Sequence, residues 1–167
     1  MDLKQTAAFY KLNLVTGEEL RTAADQALGE RLFSPALADL AFAAGLYLEE
    51  YRSMFERVLT ELQIPPPSEE EAVWCVLRYY LNEIAEGRIL PREGMRRVTR
   101  EIVDDYLHSK SKEYLGDTHG LEKLIGAYYS CDDVSGDEKK KQAEIAAIDL
   151  GIIQLAKDWI KTYGRSE

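Results

Sequence analysis

The chain has 167 residues, a formal charge of −9 and an isoelectric point near 4.9. This length suits a single domain with its own core, and 46% hydrophobic with 31% charged residues is usual for a folded globular protein. The acidity argues against a nucleic-acid-binding protein, which needs a basic face, and against docking on an anionic membrane by charge. Acidity is common and mostly keeps a protein soluble, and a basic partner is the sharper alternative.

The two cysteines and the N-terminus indicate the cytoplasm. Cys75 and Cys131 lie in apolar stretches, so we expect buried free thiols in a protein kept in a reducing compartment. The first residues, Met1-Asp-Leu-Lys-Gln5, are polar and do not form the charged-then-apolar pattern of a signal peptide. No apolar run approaches about 18 residues, so we expect no membrane-spanning helix.

Helical signals follow one another along the first half of the chain, and no alternation of period two indicates a strand. Thr16-Gly-Glu-Glu19 is a capping box, and Ser34-Pro35 places a serine cap before a proline at the first helical position. The triple proline at 65–67 ends the third helical stretch. The predicted helices of this half span residues 16–28, 34–44 and 47–63.

The second half of the chain has equally clear boundaries. Ser68-Glu-Glu-Glu71 is a further capping box, Gly87 is a natural helix stop, and Pro91 is a natural helix start. The predicted helices span residues 68–86, 91–108, 118–132 and 137–163. Apolar residues recur at helical spacing in all four helices and predict one buried face in each. The predicted faces are, for 68–86, Val73, Val76, Leu77, Tyr80 and Ile84; for 91–108, Met95, Val98, Thr99, Ile102, Val103 and Tyr106; for 118–132, Leu121, Leu124, Ile125 and Tyr128; and for 137–163, Ile145, Ile148, Ile152, Ala156, Trp159 and Tyr163. We therefore predict an all-α fold, a compact single-domain bundle of six to eight helices over residues 1–167.

The segment 88–100 concentrates positive charge in this acidic chain, with five arginines and one glutamate. Glu93 and Glu101 lie four residues before and after Arg97 on the predicted helix, so local ion pairs account for that arginine. The remaining arginines of this helix have no such local explanation and need a carboxylate from another helix, or a ligand.

Asp149 is the predicted carboxylate for this cluster. Arg92, Arg96 and Arg100 lie along one edge of the buried face, at roughly 60°, 100° and 140° from Met95. Asp149 falls inside the apolar face of the last predicted helix, where an unpaired carboxylate is costly to bury. We predict that Asp149 pairs with an arginine, by preference Arg96 or Arg100. The group is then either an internal ion pair that fixes how two helices dock or an anion-binding pocket.

No motif in the chain carries a specific chemistry. Glu83-x-x-Glu86 and Glu101-x-x-Asp104 have the spacing used by helical magnesium-dependent pyrophosphatases, but an antiparallel hairpin would separate the two pairs by roughly 14 Å. The stretch 132–138 lacks the register of a calcium loop. The two histidines lie outside the known zinc motifs, and there is no phosphate loop or serine-nucleophile motif. We predict no metal, no cofactor and no catalytic residue, so a non-enzymatic protein is favoured.

Ten tyrosines stand out in the composition. Tyr47 and Tyr51 flank the pair Glu49-Glu50, and tyrosine beside acid is typical of a surface that binds a basic protein. In the pairs 79–80 and 128–129, one ring faces inward and its neighbour lies about 100° away. The pattern also suits a helical core with hydroxyl groups at its rim. The candidate partner-binding residues are Tyr47, Glu49, Glu50, Tyr51, Tyr79 and Tyr129.

Three segments together carry a resemblance to known proteins. They are Ala24-Asp-Gln-Ala-Leu28 followed by Ser34-Pro-Ala-Leu-Ala-Asp-Leu-Ala41, then Gly87-Arg-Ile-Leu-Pro-Arg-Glu-Gly-Met-Arg-Arg97, then a terminal amphipathic helix. In this order they resemble a group of small, uncharacterised, all-helical bacterial proteins, some of which look like immunity proteins that neutralise a cognate toxin. The resemblance implies the helical fold and an inhibitor function, and it transfers no catalytic residue because its motifs are caps and a turn.

Three hypotheses for the function follow. The leading one is a cytoplasmic, acidic helical binding protein, an immunity-type inhibitor of a basic toxin, whose charge steers the partner and whose tyrosines anchor it. The second is a small enzyme or anionic-ligand-binding protein with a pocket at Asp149 and Arg96 or Arg100. The third is a self-associating structural module that uses a patch from Tyr47 to Phe55, so that the chain is a monomer or a homodimer.

Overall fold

The structure is a computed structural model that describes residues 1–107 and 119–164, apart from the side chains of Asp105 and Leu107. These residues form eight α-helices and no strand, which confirms the all-α prediction. The helices are α1 (Leu3–Lys11), α2 (Gly17–Gly29), α3 (Pro35–Phe42), α4 (Leu48–Glu61), α5 (Glu69–Ala85), α6 (Pro91–Arg97), α7 (Glu122–Tyr129) and α8 (Glu138–Tyr163). A π-helical segment, Val98–Leu107, continues α6, and a 3-10 turn, Ser130–Asp133, follows α7. The predicted helix end at residue 108 and helix start at residue 118 lie outside the described residues.

Side-chain caps begin the helices where the sequence predicts them. At α2 the Thr16 backbone N–H donates to the Glu19 carboxylate (2.8 Å), and the Glu19 N–H donates to the Thr16 hydroxyl (3.2 Å). The box between Ser68 and Glu71 before α5 has the same two bonds. Before α3 the Ser34 hydroxyl accepts the N–H of the third helical residue at 3.1 Å. These caps satisfy N–H groups that a helix leaves without internal partners.

Helix α1 is an element that the sequence prediction lacks, because that prediction has no helix before residue 16. The Gln5 N–H donates to the Asp2 carboxylate (2.8 Å), and the Asp2 N–H donates to the Gln5 side chain (3.2 Å). Asp-x-x-Gln is therefore the same capping signature at the very start of the chain.

Four helices end in the same backbone motif. After α1, α2, α4 and α5, an N–H beyond the helix donates to a carbonyl five residues earlier, and the bonds are Leu14 to Phe9 (2.9 Å), Leu32 to Ala27 (3.0 Å), Ile64 to Leu59 (2.9 Å) and Arg88 to Glu83 (2.9 Å). This Schellman geometry needs one residue in the left-handed region, and the residues there are Asn13, Arg31, Gln63 and Gly87. Glycine adopts that conformation at little cost, so Gly87 allows the end of α5 to be predicted from the sequence. Asparagine also tolerates this conformation, whereas Arg31 and Gln63 are residue types that adopt it less readily.

The chain divides into two compact units, Met1–Val76 and Leu77–Glu167, with the boundary inside α5. The single-domain expectation stays a prediction. In the first unit α2 packs against α3 and α4, and α1 packs against α2. Its largest fully buried side chains are Leu12, Leu20, Leu37, Leu40 and Phe55.

In the second unit α6 packs against α7 and α8, and α7 packs against α8. The predicted face of α6 and the π-helical segment is buried from Met95 to Val103. Helix α8 buries less of its predicted face, since Ile152, Ala156 and Trp159 are its buried residues. The Trp159 indole N–H donates to the carbonyl of His119 (2.8 Å), which joins α8 to the turn before α7.

The π-helical segment changes where side chains of the arginine helix lie. The Thr99 hydroxyl donates to the carbonyls of Met95 (2.9 Å) and Arg96 (3.1 Å), where the segment begins. A hydroxyl bonded four residues back competes with the backbone N–H for the same carbonyl. Helical-wheel angles based on 3.6 residues per turn therefore do not apply beyond residue 97.

Two findings bear on the surroundings of the protein. Across residues 1–107 and 119–164, every helix is too short or too polar to cross a lipid bilayer. Cys75 and Cys131 are both free thiols, as predicted, although each is partly exposed rather than fully buried.

Gly94 in α6 tests how tightly the second unit is packed. It is buried, and a Cβ atom there would lie 2.5 Å from Ile84 Cγ1 and 2.7 Å from Ile89 Cδ1. We expect Gly94→Ala to lower the free energy of unfolding by about 1–3 kcal/mol, because the Ile84 and Ile89 side chains or the helix itself must shift to make room. Gly151→Ala is the matched control, since the Cβ position at Gly151 in α8 meets no other atom within 4 Å.

We expect Gly151→Ala to raise the free energy of unfolding by about 0.5–1 kcal/mol through helix propensity. Urea unfolding of the two variants measures both changes. Equal effects of the two substitutions would contradict the close packing of α6.

Candidate functional site

The predicted carboxylate of the arginine cluster does meet an arginine, but not a preferred one. Arg92 Nε lies 3.1 Å from Asp149 Oδ1, so the expected pairing of Asp149 with Arg96 or Arg100 is wrong. Arg92 lies in the first turn of α6, where that helix packs against α8. The Asp149 side chain is 23% exposed, so the pair is partly solvated rather than enclosed in an apolar face.

Arg96 and Arg97 share a single carboxylate, that of Glu93. Arg96 Nη2 lies 2.7 Å and Arg97 Nε 3.2 Å from Glu93 Oε1. The expectation that Arg96 lacks a local partner is therefore wrong, because a side chain three residues away also reaches it. The hydrogen bonds from Arg96 and then Arg97 lower the pKa of Glu93 to about 2. Arg100 is exposed, and no carboxylate of the described residues forms an ion pair with it.

Further contacts hold two guanidinium groups of the cluster, those of Arg88 and Arg97. Arg88 pairs with Glu83 (2.6 Å) and with Glu86. Arg97 lies over the Tyr80 ring, with its Cζ atom 5.9 Å from the ring centroid. Four of the five arginines, Arg88, Arg92, Arg96 and Arg97, thus form ion pairs within the second unit, which weakens the hypothesis of an anion-binding pocket there.

Tyr80 is the most enclosed ionisable group near the arginines. Its side chain is buried, and its hydroxyl donates to Glu101 Oε2 at 2.7 Å. Burial raises the pKa of Tyr80, and the hydrogen bond to Glu101 raises it further. The hydroxyl therefore stays protonated and acts as a structural donor between α5 and the π-helical segment.

The first unit presents an exposed aromatic and acidic surface at the N-terminus of α4. Tyr47 is 84% exposed and Phe42 is 83% exposed, and Leu48, Glu49 and Glu50 are also exposed. Glu50 accepts the Tyr47 backbone N–H (2.8 Å), which holds the loop onto the first turn of α4. We call these five residues the aromatic–acidic surface. Large aromatic side chains left in water beside acids are typical of protein-binding surfaces.

The structure separates the predicted partner-binding residues. Tyr47, Glu49 and Glu50 lie together on the aromatic–acidic surface. Tyr51 is not part of it, because its ring is 7% exposed and packs where a side chain at Gly17 would stand. The placement of Tyr51 on a binding surface is therefore wrong.

Tyr79 and Tyr129 belong to the second unit and not to the aromatic–acidic surface. Tyr79 is partly buried with its ring 5.6 Å from that of Tyr80, and Tyr129 is 50% exposed on α7. Phe42 is the surface residue that the sequence prediction missed. The available signal was an aromatic residue between an alanine-rich helix and the turn at Gly45, and such a residue reads equally well as core.

A cleft of about 570 Å³ lies on the same unit, beside α1 and the C-terminal half of α4. It is lined by Ala7, Tyr10, Lys11, Glu56, Leu59, Thr60, Gln63, Ile64, Pro65, Pro66 and Pro67. The Tyr10 hydroxyl donates to Glu56 Oε1 at 2.5 Å, and the Arg52 guanidinium lies 5.8 Å from the ring centroid of Tyr10. Burial and the Glu56 hydrogen bond raise the pKa of Tyr10 to about 12. We call this feature the proline-walled cleft.

The negative charge of the chain is concentrated in this unit. Residues 1–76 contain thirteen acidic and six basic residues, a formal charge of −7 out of the total of −9. The remaining residues contain seventeen acidic and fifteen basic residues, a formal charge of −2. The aromatic–acidic surface and the proline-walled cleft both lie on the acidic unit.

Comparison of the chain with family models, with curated proteins and with solved structures finds no significant match. Within the described residues, no group of three or more histidine, cysteine, aspartate or glutamate side chains is arranged to hold a metal ion. A functional proposal for this chain therefore rests on the aromatic–acidic surface and the proline-walled cleft of the first unit.

The carboxylate of Glu93 makes the stability of the second unit depend on pH. Its pKa is lowered from 4.5 to about 2, so its stabilising contribution is complete above pH 4.5 and is lost as the pH falls toward 2. We expect Glu93→Gln to lower the free energy of unfolding by less than about 1 kcal/mol at pH 7, since the pairs are exposed and screened by water.

The difference between the parent protein and Glu93→Gln should shrink as the pH falls from about 4.5 to about 2. Urea unfolding at pH 3, 5 and 7 measures this difference. Glu144→Gln, which removes an exposed carboxylate in the second turn of α8, is the control. A difference that is constant over this range would contradict the assigned role of Glu93.

Proposed function

We propose that the protein is a non-enzymatic, acidic helical binding protein that docks a basic protein on its aromatic–acidic surface. The observation that carries the proposal is the pair Phe42 and Tyr47, each more than four-fifths exposed, beside Glu49 and Glu50. Together these side chains offer an apolar anchor and a negative rim within one short segment.

Two physical effects support a basic partner. The formal charge of −7 on residues 1–76 attracts a positively charged protein over a distance of about one Debye length, and so raises the rate of encounter. Exposed aromatic side chains then supply the binding energy, because they lose unfavourable contact with water when a partner covers them. Lysine and arginine side chains of the partner would pair with Glu49 and Glu50.

The finer form of this proposal is an immunity-type inhibitor of a basic toxin in the cytoplasm. An inhibitor acts by covering the working surface of its target, so it needs complementarity of shape and charge rather than catalytic groups. The free thiols of Cys75 and Cys131 support a reducing compartment. The likeness of the capping segments to immunity-protein-like sequences supports the same function.

The two other hypotheses have less support. A small enzyme or anionic-ligand-binding protein would use the arginine cluster, but Arg92, Arg96 and Arg97 are engaged by carboxylates. A self-associating module would use the predicted exposed patch from Tyr47 to Phe55, but Tyr51 and Phe55 are 7% and 0% exposed, so two of its three aromatic residues are buried. Light scattering at increasing protein concentration separates self-association from the leading proposal.

The test of the proposal is a double substitution, Phe42→Ser with Tyr47→Ser. Both side chains are exposed, so we expect the fold and the free energy of unfolding to change little. Protein captured from the native host at low salt is identified, purified and titrated by calorimetry. We expect a basic partner, and we expect the double variant to weaken its affinity at least about tenfold, because aromatic anchors dominate such interfaces.

Phe33→Ser is the matched control. Phe33 is 71% exposed and precedes α3, outside the aromatic–acidic surface, so we expect its substitution to change the affinity less than about twofold. An acidic partner, or equal losses for the control and the double variant, would overturn the proposal. Reversible self-association in the absence of any partner would favour the structural module instead.

A further inference from the structure

The proline-walled cleft has a wall that can accept hydrogen bonds but cannot donate them. Three consecutive prolines, 65–67, follow the Schellman turn at Gln63, and proline has no backbone N–H. The backbone of this stretch therefore offers carbonyl oxygens alone to a bound group. Such a wall suits a ligand with several donors and no acceptor.

The opposite side of the cleft adds a carboxylate and an apolar floor. Glu56 Oε1 accepts a hydrogen bond from the Tyr10 hydroxyl (2.5 Å). Glu56 is exposed and lines the cleft. Leu59 and Ile64 supply apolar surface, and they are held together by the backbone bond from the Ile64 N–H to the Leu59 carbonyl (2.9 Å). An apolar stem with a cationic, donor-rich head complements these groups.

Two cations oppose a cationic ligand here: the Arg52 guanidinium, 5.8 Å from the ring centroid of Tyr10, and the lining residue Lys11. Lys11 lies at the exposed end of α1, at the edge of the cleft. Its ammonium group sits on a flexible stem and can extend into water, so it reduces the attraction for a cation without filling the site. Removal of the Lys11 charge therefore tests whether the ligand is a cation, because binding of a cation should become tighter.

The cleft and the aromatic–acidic surface are connected along one helix. Glu49, Arg52 and Glu56 are spaced at three and four residues, so they share a face of α4. Glu49 and Glu56 are seven residues apart, or about 10 Å along the axis. An extended segment of a bound partner can therefore reach from Tyr47 to the cleft.

From this geometry we infer that the proline-walled cleft receives an arginine or lysine side chain of the docked partner. The inference rests on the proposed function and names the partner chemistry: an extended basic segment with an apolar residue near it. The side chain lies along Leu59 and Ile64, and its cationic head donates to Glu56 and to carbonyl oxygens of the proline wall. The guanidinium of arginine has five donors and no acceptor, which suits this wall well.

The test uses the protein alone with two small probes, N-acetyl-arginine N-methylamide and its citrulline counterpart. Citrulline has nearly the same shape, but its head is a neutral urea. The probes are titrated into the isotope-labelled full chain and followed by amide chemical shifts. We expect saturable shifts near Tyr10, Thr60 and Gln63 with the arginine probe, and at least about fivefold weaker binding of the citrulline probe.

Two substitutions at the cleft give effects of opposite sign. Glu56→Gln keeps the shape and can still accept the Tyr10 hydroxyl, so we expect the fold to persist and arginine-probe binding to weaken about tenfold. Lys11→Gln removes one opposing charge, so we expect binding to tighten about twofold. Glu18→Gln, an exposed carboxylate in the first turn of α2, is the control and should leave binding unchanged.

Several results would overturn the inference. Equal binding of the arginine and citrulline probes would show an apolar site without charge selection. Weaker binding of the arginine probe after Lys11→Gln would show that Lys11 supports the bound probe rather than opposing its charge. The absence of saturable shifts with the arginine probe would remove the site altogether.

The purified partner then separates a docked side chain from a free small cation. We expect the partner to displace the arginine probe, and Glu56→Gln to weaken partner binding as well as probe binding. If the probe binds but the partner does not displace it, the cleft takes a small cation and the partner assignment is wrong. Loss of partner affinity in the Phe42 and Tyr47 double variant is independent of these results, so the proposed function can fail or hold by itself.

Discussion

Satisfaction of backbone groups at helix ends is the constraint on which the rest of this structure depends. Short helices have a large share of their N–H and C=O groups near an end, where no helical partner exists. Asp2, Thr16 and Ser68 satisfy these groups at helix starts, each with a partner side chain three residues later. At the ends of α1, α2, α4 and α5, the Schellman motif satisfies the carbonyls and also sets the direction in which the chain leaves. The turn at Gln63 illustrates the consequence for function, because it brings Ile64 beside Leu59 and begins the wall formed by the prolines.

The uneven distribution of charge is the second organising feature. In the second unit, arginines and carboxylates pair with one another, and the residues beyond the boundary carry a formal charge of −2. In the first unit acids outnumber bases by seven, and its exposed aromatic residues lie next to two of those acids. The positive segment that stands out in the sequence is thus mainly structural. The binding surface that we propose is instead negatively charged and belongs to the first unit.

The fold was more predictable from sequence than the candidate site, for a reason that particular residues show. Thr16, Ser34 and Ser68 act within three residues of themselves, so their roles follow from local spacing and were predicted. The partner of Asp149 depends on how two helices pack and on competition from Glu93, and the prediction chose the wrong arginine. Tyr47 and Tyr51 are four residues apart and alike in sequence, yet one is 84% exposed and the other 7% exposed. The Tyr51 ring packs against another helix, where it occupies the space of a side chain at Gly17.

The sequence by itself determined the helical class, the caps, the stop at Gly87 and the buried faces of α5 and α6, because each follows from residues within one or two helical turns. Only the tertiary structure decided which tyrosines reach solvent, which carboxylate each arginine meets, and that Tyr10, Glu56 and the prolines enclose a cleft. Several of these outcomes depend on contacts between residues of different helices, such as Gly17 with Tyr51, Tyr10 with Glu56 and Arg92 with Asp149. The periodicity of a sequence does not reveal such contacts, because the burial of a side chain depends on the elements that pack around it.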